Sequence, residues 1–281
     1  MKLRKASAAA ATALVLALTA TACGGDNGDD NGSDTGSGGD TIKIGIKFDQ
    51  PGIGQKTADG DYTGFDVDVA TYVAKELGYD ADQIEWKEAK SADRETMLER
   101  GDVDFIAASY SINDERDKKV DFAGPYLLAH QDILIRADDN SITKPEDLNE
   151  KNLCSVAGST SAQNVKDKIA PKANLQTYGG YSECLTGLEN KAVDALTTDD
   201  SILAGYAAQE QFKGKFKLAG FKLSNENYGI GVQEGSDLKA KINTALEKMV
   251  SDKSWDEAVK ANFGPANYKN EPAPKIGDIV K

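Results

Sequence analysis

Strand-like and helix-like segments alternate along this chain, and the alternation runs twice. Thr41 to Ile46 alternates as a strand, and Asp66 to Leu77 sets Val67, Ala70, Val73, Ala74 and Leu77 on one helical face, closed by Gly78. Ile84 to Lys87 then reads as a strand, Ala92 to Arg100 as a helix stopped by Gly101, and Val103 to Ala108 as a buried parallel strand. A second round follows. It comprises strand Leu153 to Ala157, helix Ser161 to Ile169, strand Leu175 to Tyr178, helix Tyr181 to Glu189, strand Val193 to Thr197 and helix Asp199 to Gln209. Leu98 to Ile106 and Leu188 to Leu196 share four identities in nine, spanning a helix end, a turn and a Val-Asp strand start, although any helix-to-strand join can share such features. The pattern predicts an α/β protein of two lobes, each a sheet flanked by helices. Ile133 to Asp138 leads from the first set into the second. Asn227 to Val232 reads as a strand returning before two helices, Ser236 to Ser251 and Ser254 to Phe263. Two crossings make a hinge, with a cleft at the strand ends. The expected bounds are 41–135 with 226–267 for the first lobe, 136–225 for the second and 268–281 for a tail.

The stretch before Thr41 has a different character. Met1-Lys-Leu-Arg-Lys5 is basic and Ala8 to Ala20 is apolar but short for a membrane span, so residues 1–22 read as a signal segment. Ala20-Thr-Ala22 suits a cleavage site, and the following Cys23-Gly24 resembles the lipobox of bacterial lipoproteins, with Ala20 where a Leu is usual. An exported free thiol at the first position would otherwise need explaining, so Cys23 is the expected lipidation site; the alternative is a plain secreted protein. Gly24 to Asp40 holds only Gly, Asp, Asn, Ser and Thr, so 23–40 reads as a flexible tether rather than an EF-hand, because Gly38 stands where the bidentate Glu belongs. In an exported protein Cys154 and Cys184 are expected to pair, the alternative being two buried thiols.

Charge and composition exclude several classes. The 281 residues carry a net charge of −13, and removing Lys2, Arg4 and Lys5 takes the balance to −16, with no Lys/Arg cluster for nucleic acid. One histidine, His130, and three Cys leave too few ligands for a zinc site and disfavour Ser-His-Asp or Cys-His chemistry; no metal or cofactor is expected. Gly52-Ile-Gly-Gln-Lys-Thr57 lacks the spacing of a phosphate loop. Ser141-Ile-Thr-Lys144 has the SxxK spacing, but the chain lacks SDN and KTG. What remains is charge at strand ends. Arg116 follows the strand Phe105 to Ala108, where a planar guanidinium can grip a carboxylate with help from Ser109 and Ser111; on position alone it could equally pair with Glu115 or Asp117. Asp199 holds the matching place in the second lobe, where it could hold an ammonium or cap the next helix, and Gly158-Ser159-Thr160 opens a helix suited to an anion. Together these describe an amino-acid zwitterion held between two lobes.

The stretches Gly64-Phe-Asp-Val-Asp-Val-Ala70, Ser111-Ile-Asn-Asp-Glu-Arg-Asp-Lys-Lys-Val-Asp-Phe122 with Pro125-Tyr126, and Gly158-Ser-Thr160 resemble family 3 solute-binding proteins of ABC importers for polar amino acids. Within that family Gly45-Ile-Lys-Phe-Asp-Gln-Pro51, Leu153-Cys-Ser155, Tyr181-Ser-Glu-Cys184 and Asp194-Ala-Leu-Thr-Thr-Asp-Asp200 are similar to actinobacterial glutamate-binding lipoproteins. The resemblance implies the type II periplasmic-binding-protein fold. It implies that Arg116 holds the ligand α-carboxylate with Ser111 and Thr160 assisting, that Asp199 holds the α-ammonium, and that Lys47 and Arg94 meet a distal carboxylate. Ser109 and Ser159 join the expected set. Gly52 and Ile53 stand where the family usually shows an aromatic cover, which leaves Tyr228 as a substitute.

The expected function is a monomeric, lipid-anchored component on the extracytoplasmic face, taking L-glutamate or possibly aspartate by hinge closure and passing it to a permease. A glutamine ligand would leave one buried cation without a partner. The rival from another class is a cyclohexadienyl-dehydratase-like enzyme, which needs a general acid in the cleft, with His130 the candidate. A lipoprotein that senses without transport would use the same pocket.

Overall fold

The computed structural model describes residues 41–281; the expected signal segment, the tether and Cys23 lie outside the described residues. Strand β1 (Ile42–Ile46) leads into a small antiparallel sheet of β2 (Asp49–Gln50), β3 (Gly54–Lys56) and β4 (Tyr62–Thr63). Helix α1 (Phe65–Glu76), β5 (Ile84–Glu88), α2 (Arg94–Arg100) and β6 (Phe105–Ile106) complete the first round. β5 and β6 flank β1 in parallel, with Ile42 opposite Ile84 and Ile44 opposite Phe105. The three isoleucines of β1 are buried, and α1 covers them with Phe65, Val69, Ala70, Val73 and Ala74. Gly101 ends α2 in the left-handed region, at φ 71°, which a side chain would strain.

The chain then crosses the molecule in β7 (Val120–Arg136), a single strand of 17 residues. The second round is β8 (Asn152–Val156), α3 (Thr160–Asn164), β9 (Asn174–Tyr178), α4 (Tyr181–Glu189), β10 (Ala195–Asp199), α5 (Asp200–Ala207) and β11 (Phe216–Leu218). β12 (Asn225–Gln233) returns, and α6 (Leu238–Ser251) and α7 (Ser254–Phe263) pack beside α1. The large sheet runs β5-β1-β6-β12-β7-β10-β8-β9, with β11 added on β7. The first part of β7 pairs with β12, from Val120 opposite Gln233 to His130 opposite Asn225. Its second part pairs with β10, from Gln131 opposite Asp199 to Ile135 opposite Ala195. One strand therefore serves both lobes.

Several elements differ from expectation. The sequence pattern places only Ile133 to Asp138 in the crossing, because Gly124-Pro125 interrupts the strand signal upstream. The structure accommodates that proline where the register against β12 shifts between Tyr228 and Ile230, a bulge that spares the ladder a missing donor. The expected strand Val103 to Ala108 shortens to Phe105–Ile106, since the chain bends away at Ser109, φ 43°. The expected helix Ser161 to Ile169 is α3 followed by a π-helical turn, Val165–Ile169. Asp199 closes β10 rather than entering the helix. The hairpin strands at residues 49–63 carry no clear periodicity and are absent from the sequence reading.

After α7 the chain is hydrogen-bonded to the crossing strands and to α5. Tyr268 donates to Asp200 Oδ1 at 2.8 Å, Gly277 N–H reaches Gly124 O at 2.9 Å, and Asn227 exchanges bonds of 2.9 and 3.1 Å with Val280.

Cys154 on β8 and Cys184 on α4 form a disulfide, fixing the helix to the strand it covers. Closing a loop over a separation of 30 residues stabilises the folded chain by about 3 to 4 kcal/mol in the chain-entropy description. A Cys154→Ala/Cys184→Ala double variant should lose that amount in urea unfolding; an unchanged midpoint would show that the bond constrains nothing.

Candidate functional site

The C-terminal ends of the strands from both lobes face one cleft, and their following loops supply its walls. An inner pocket is lined by Ser91, Arg94, Ser109 and Arg116 on one side. Ser159, Thr160, Ser161, Tyr181, Asp199 and Ile202 form the other. A second pocket runs past Lys47, Phe48, Asp49 and Glu88 to Gly180 and Glu183, and Tyr181 lines both.

Arg116 is aimed by its own loop. The Asn113 carboxamide oxygen accepts from the N–H groups of Glu115 and Arg116 at 3.1 and 3.0 Å, folding the turn so that the guanidinium points back into the cleft. There Nη1 donates to Ser111 O at 2.6 Å, Nη2 to Gly158 O across the cleft at 3.0 Å, and Nε lies 3.4 Å from Glu95. The pairing with Glu115 or Asp117 that position alone allowed is replaced by Glu95. Arg94, 1% exposed, opens α2, and its Nη1 donates to the carbonyls of Ala108 and Ser109 at 3.0 and 3.2 Å. Both guanidinium groups lie against the ring of Tyr110, at 4.1 Å for Arg94 and 5.1 Å for Arg116. Burial, then the charge of Arg116, pulls the Arg94 guanidinium down to about 10.

Lys47 leaves the end of β1 and donates to Ser91 Oγ at 2.8 Å. Burial, then the neighbouring Arg94, pushes its amine well below the usual lysine range. Ser109 is held in its left-handed turn by Asp66, whose Oδ2 accepts from the Ser109 N–H at 2.7 Å while Oδ1 accepts from Tyr126 at 2.7 Å. Burial raises the Asp66 carboxyl to about 6 against those bonds. The Ser109 hydroxyl donates to Gln50 at 3.0 Å.

On the opposite wall Ser159 caps α3, accepting from Ala162 N–H at 3.0 Å and donating to Val156 O at 2.7 Å. Thr160 donates to Glu226 at 2.8 Å. Asp199 stands at the N-cap of α5 but makes no side-chain cap; its carboxylate accepts from Tyr228 and, at 3.4 Å, from Ser161. Burial, then the Glu226 charge, holds its carboxyl well above the usual range, and the Tyr228 hydroxyl opposes that rise.

Six of the expected residues thus share one cavity: Arg94, Ser109, Arg116, Ser159, Thr160 and Asp199. Lys47 adjoins it through Ser91, and Ser111 contributes its carbonyl to Arg116 rather than a lining surface. Tyr228 departs from its expected place as a cover: its ring is wholly buried and packs 6.2 Å from Tyr126, so it supports Asp199 from behind. The sequence reading misses Ser91, Ser161, Tyr181 and Ile202. Ser91 and Tyr181 follow β5 and β9, so the rule that singles out Arg116 also reaches them. His130, the acid required by the dehydratase reading, is not among the cavity-lining residues; its ring bonds Asn225 at 3.0 Å and Glu271 at 3.1 Å. Among the described residues no cluster of three His, Cys, Asp or Glu could hold a metal ion, and no helix is long and apolar enough to cross a membrane.

The lobes also touch beside the cavity. The Asp49 carboxylate accepts from Ser182 N–H at 3.3 Å and its hydroxyl at 3.2 Å, and Tyr206 donates to the Asp49 carbonyl. Glycines make the approach possible. A methyl at Gly205 would stand 2.0 Å from Pro51 O, and one at Gly158 would stand 2.7 Å from the Ala92 backbone.

This arrangement has known counterparts. Residues 42–265 match the family described as bacterial extracellular solute-binding proteins, family 3. The glutamate-binding protein GluB of Corynebacterium efficiens is 45% identical over 269 residues, covering 92% of this chain and 90% of the relative. The glutamine-binding protein GlnH of Bacillus subtilis is 38% identical over 224 residues, 79% of this chain and 80% of the relative. The solved structure of an ancestral arginine-binding protein bound to arginine superposes with a TM-score of 0.74 at 35% identity, covering 80% of this chain and 99% of that one. With a cleft between two lobes, strand-end residues lining it and a match spanning nearly all the described residues, the chain belongs to the family 3 bacterial extracellular solute-binding proteins.

Proposed function

We propose that this protein is the lipid-anchored, extracytoplasmic capture component of an ABC importer and that its ligand is L-glutamate, with aspartate limited by its shorter reach. The observation that carries the reading is the gathering of three cationic side chains, Lys47, Arg94 and Arg116, opposite the carboxylate of Asp199. A glutamate anion supplies two carboxylates and one ammonium, the charges such a site needs. In this reading Arg116 holds the α-carboxylate, Asp199 the α-ammonium, and Arg94 with Lys47 the distal carboxylate. The relatives named for glutamate and for glutamine both support an amino-acid ligand.

Capture proceeds by closure. The ligand bonds one lobe, bridges to the other, and shifts the hinge toward the form in which Arg116 reaches Gly158 and Asp49 reaches Ser182. The lobe bounds proposed are 41–135 with 226–267, and 136–225, so that the crossings fall in β7 and at the start of β12. The closed form is the one offered to a permease, and Cys23 supplies the membrane anchor. Glutamine is the second reading, because its amide differs from the distal carboxylate by one charge.

Isothermal titration of the purified protein, unfolded and refolded to strip ligand, against glutamate, glutamine, aspartate and histidine tests the assignment. Tight heat selective for glutamate is expected, and silence across the panel would remove the amino-acid reading. Arg116→Ala should weaken binding of every amino acid by about 100-fold or more, since the shared α-carboxylate loses its partner. Arg94→Ala should reduce glutamate affinity at least about tenfold more than glutamine affinity; equal losses would refute its distal role. Gly205→Ala should leave the ligand-free melting temperature unchanged or raised, because alanine favours a helix interior by about 0.5 to 1 kcal/mol. Its methyl blocks closure, so glutamate affinity should fall about tenfold or more, and wild-type affinity would show that the two lobes need not meet.

A further inference from the structure

Helix α4 starts without a cap of its own. Its N-cap position is Gly180, which has no side chain to accept a hydrogen bond, whereas Ser159 caps α3 from the adjoining residue. A helix leaves its first N–H groups unpaired, and a side-chain oxygen at the N-cap ordinarily accepts from the second or third of them. At α4 that acceptor comes from the other lobe. Oδ2 of Asp49, on β2, accepts from the N–H of Ser182, the second residue of the helix, at 3.3 Å and from its hydroxyl at 3.2 Å. Tyr206 on α5 donates to the Asp49 carbonyl and reaches Oδ2 at 3.3 Å. Gly180 leaves room for this: a methyl there would stand 2.5 Å from the same Oδ2.

Nothing within the first lobe holds the Asp49 side chain. Among the described residues its carboxylate forms no ion pair, and every hydrogen bond it accepts comes from α4 or α5. Asp49 is also absent from the lining of the inner pocket, where Arg94, Arg116 and Asp199 stand. Parting the lobes therefore uncaps α4 and frees the Tyr206 hydroxyl without disturbing the groups of that pocket. A carboxylate suits the place, because the N-terminal end of a helix carries partial positive charge. We propose that Asp49 holds the cleft shut by capping α4 across it, and so sets how long any bound amino acid stays, while Lys47, Arg94 and Arg116 set which amino acid that is. The inference rests on the closure reading above and deepens it by naming a residue that acts on affinity without touching the ligand. Such a cap exists only when the lobes meet, so its loss speeds opening and leaves the first encounter of ligand with the open cleft unchanged.

Stopped-flow association and dissociation rates for glutamate and for glutamine, measured on the purified protein stripped of ligand, test the assignment. Asp49→Ala should raise both dissociation rates by the same factor, about three- to thirtyfold, with association nearly unchanged. Its ligand-free melting temperature should equal that of the wild type, since the open cleft holds no such cap. Gly180→Ser supplies α4 with its own hydroxyl at an extended position, φ −143°, and sets a side chain where Asp49 Oδ2 lies. That variant should also speed release of both ligands, and adding it to Asp49→Ala should speed release no further. A wild-type dissociation rate in Asp49→Ala would overturn the inference, as would losses that add in the double variant. A factor that differs between glutamate and glutamine would place Asp49 against the ligand, and a lowered ligand-free melting temperature in Asp49→Ala would show that the cap forms without ligand; either result also overturns it. A wild type that binds neither amino acid would defeat the underlying reading, and the proposal with it.

Discussion

The antiparallel pairing of β7 with β12 is the constraint from which the remaining geometry follows. Because one continuous strand pairs with β12 through its first part and with β10 through its second, the two lobes share a backbone ladder. The cleft is therefore a fixed line beside that ladder, and every strand end that reaches it does so at a set height. The bulge at Gly124 to Tyr126 adds local twist where the crossing strands pass from one environment to the next. The C-terminal segment is tied to the same strands through Gly277 and Val280.

Within the cleft, electrostatics rather than apolar burial sets the character. Arg94 and Arg116 share the face of Tyr110, and their donors are largely spent on backbone carbonyls, an arrangement that keeps two like charges close by giving each a set of oriented dipoles. Asp66 extends the same logic one layer outward: it steadies the left-handed turn at Ser109, and that turn presents two successive carbonyls to Arg94. Opposite them, Asp199 and Glu226 form an acidic pair softened by hydroxyl donors from Tyr228, Thr160 and Ser224. Positive and negative walls thus face each other across a narrow gap, which orients a dipolar ligand before any contact is made.

Much of this was legible in the amino-acid order, for reasons that differ by element. α1 and α4 announce themselves because their apolar residues recur at helical spacing over a full face, and Gly78 and Gly101 mark where the first two helices stop. The first half of β7 is hidden, since glycine and proline read as a break until a bulge gives them a place. The short strands of the hairpin sheet are too brief for any period to show. At the site, Arg116 and Asp199 stand out because a charged residue after an apolar strand is conspicuous. Ser91, Ser161 and Tyr181 do not, because hydroxyl residues occur in any loop and only the fold brings them together. Tyr228 illustrates the reverse: its position near the hinge is plain, but the direction in which its hydroxyl points depends on packing from both lobes.

The link between Cys154 and Cys184 bears on more than resistance to unfolding. It joins β8 to the helix whose first residues, Tyr181 and Ser182, face the inner cavity and Asp49. A helix anchored this way has few alternative positions to sample, so little ordering entropy remains to be spent within that lobe. A covalent bond between a strand and its covering helix thereby makes that wall of the cleft a preorganised jaw.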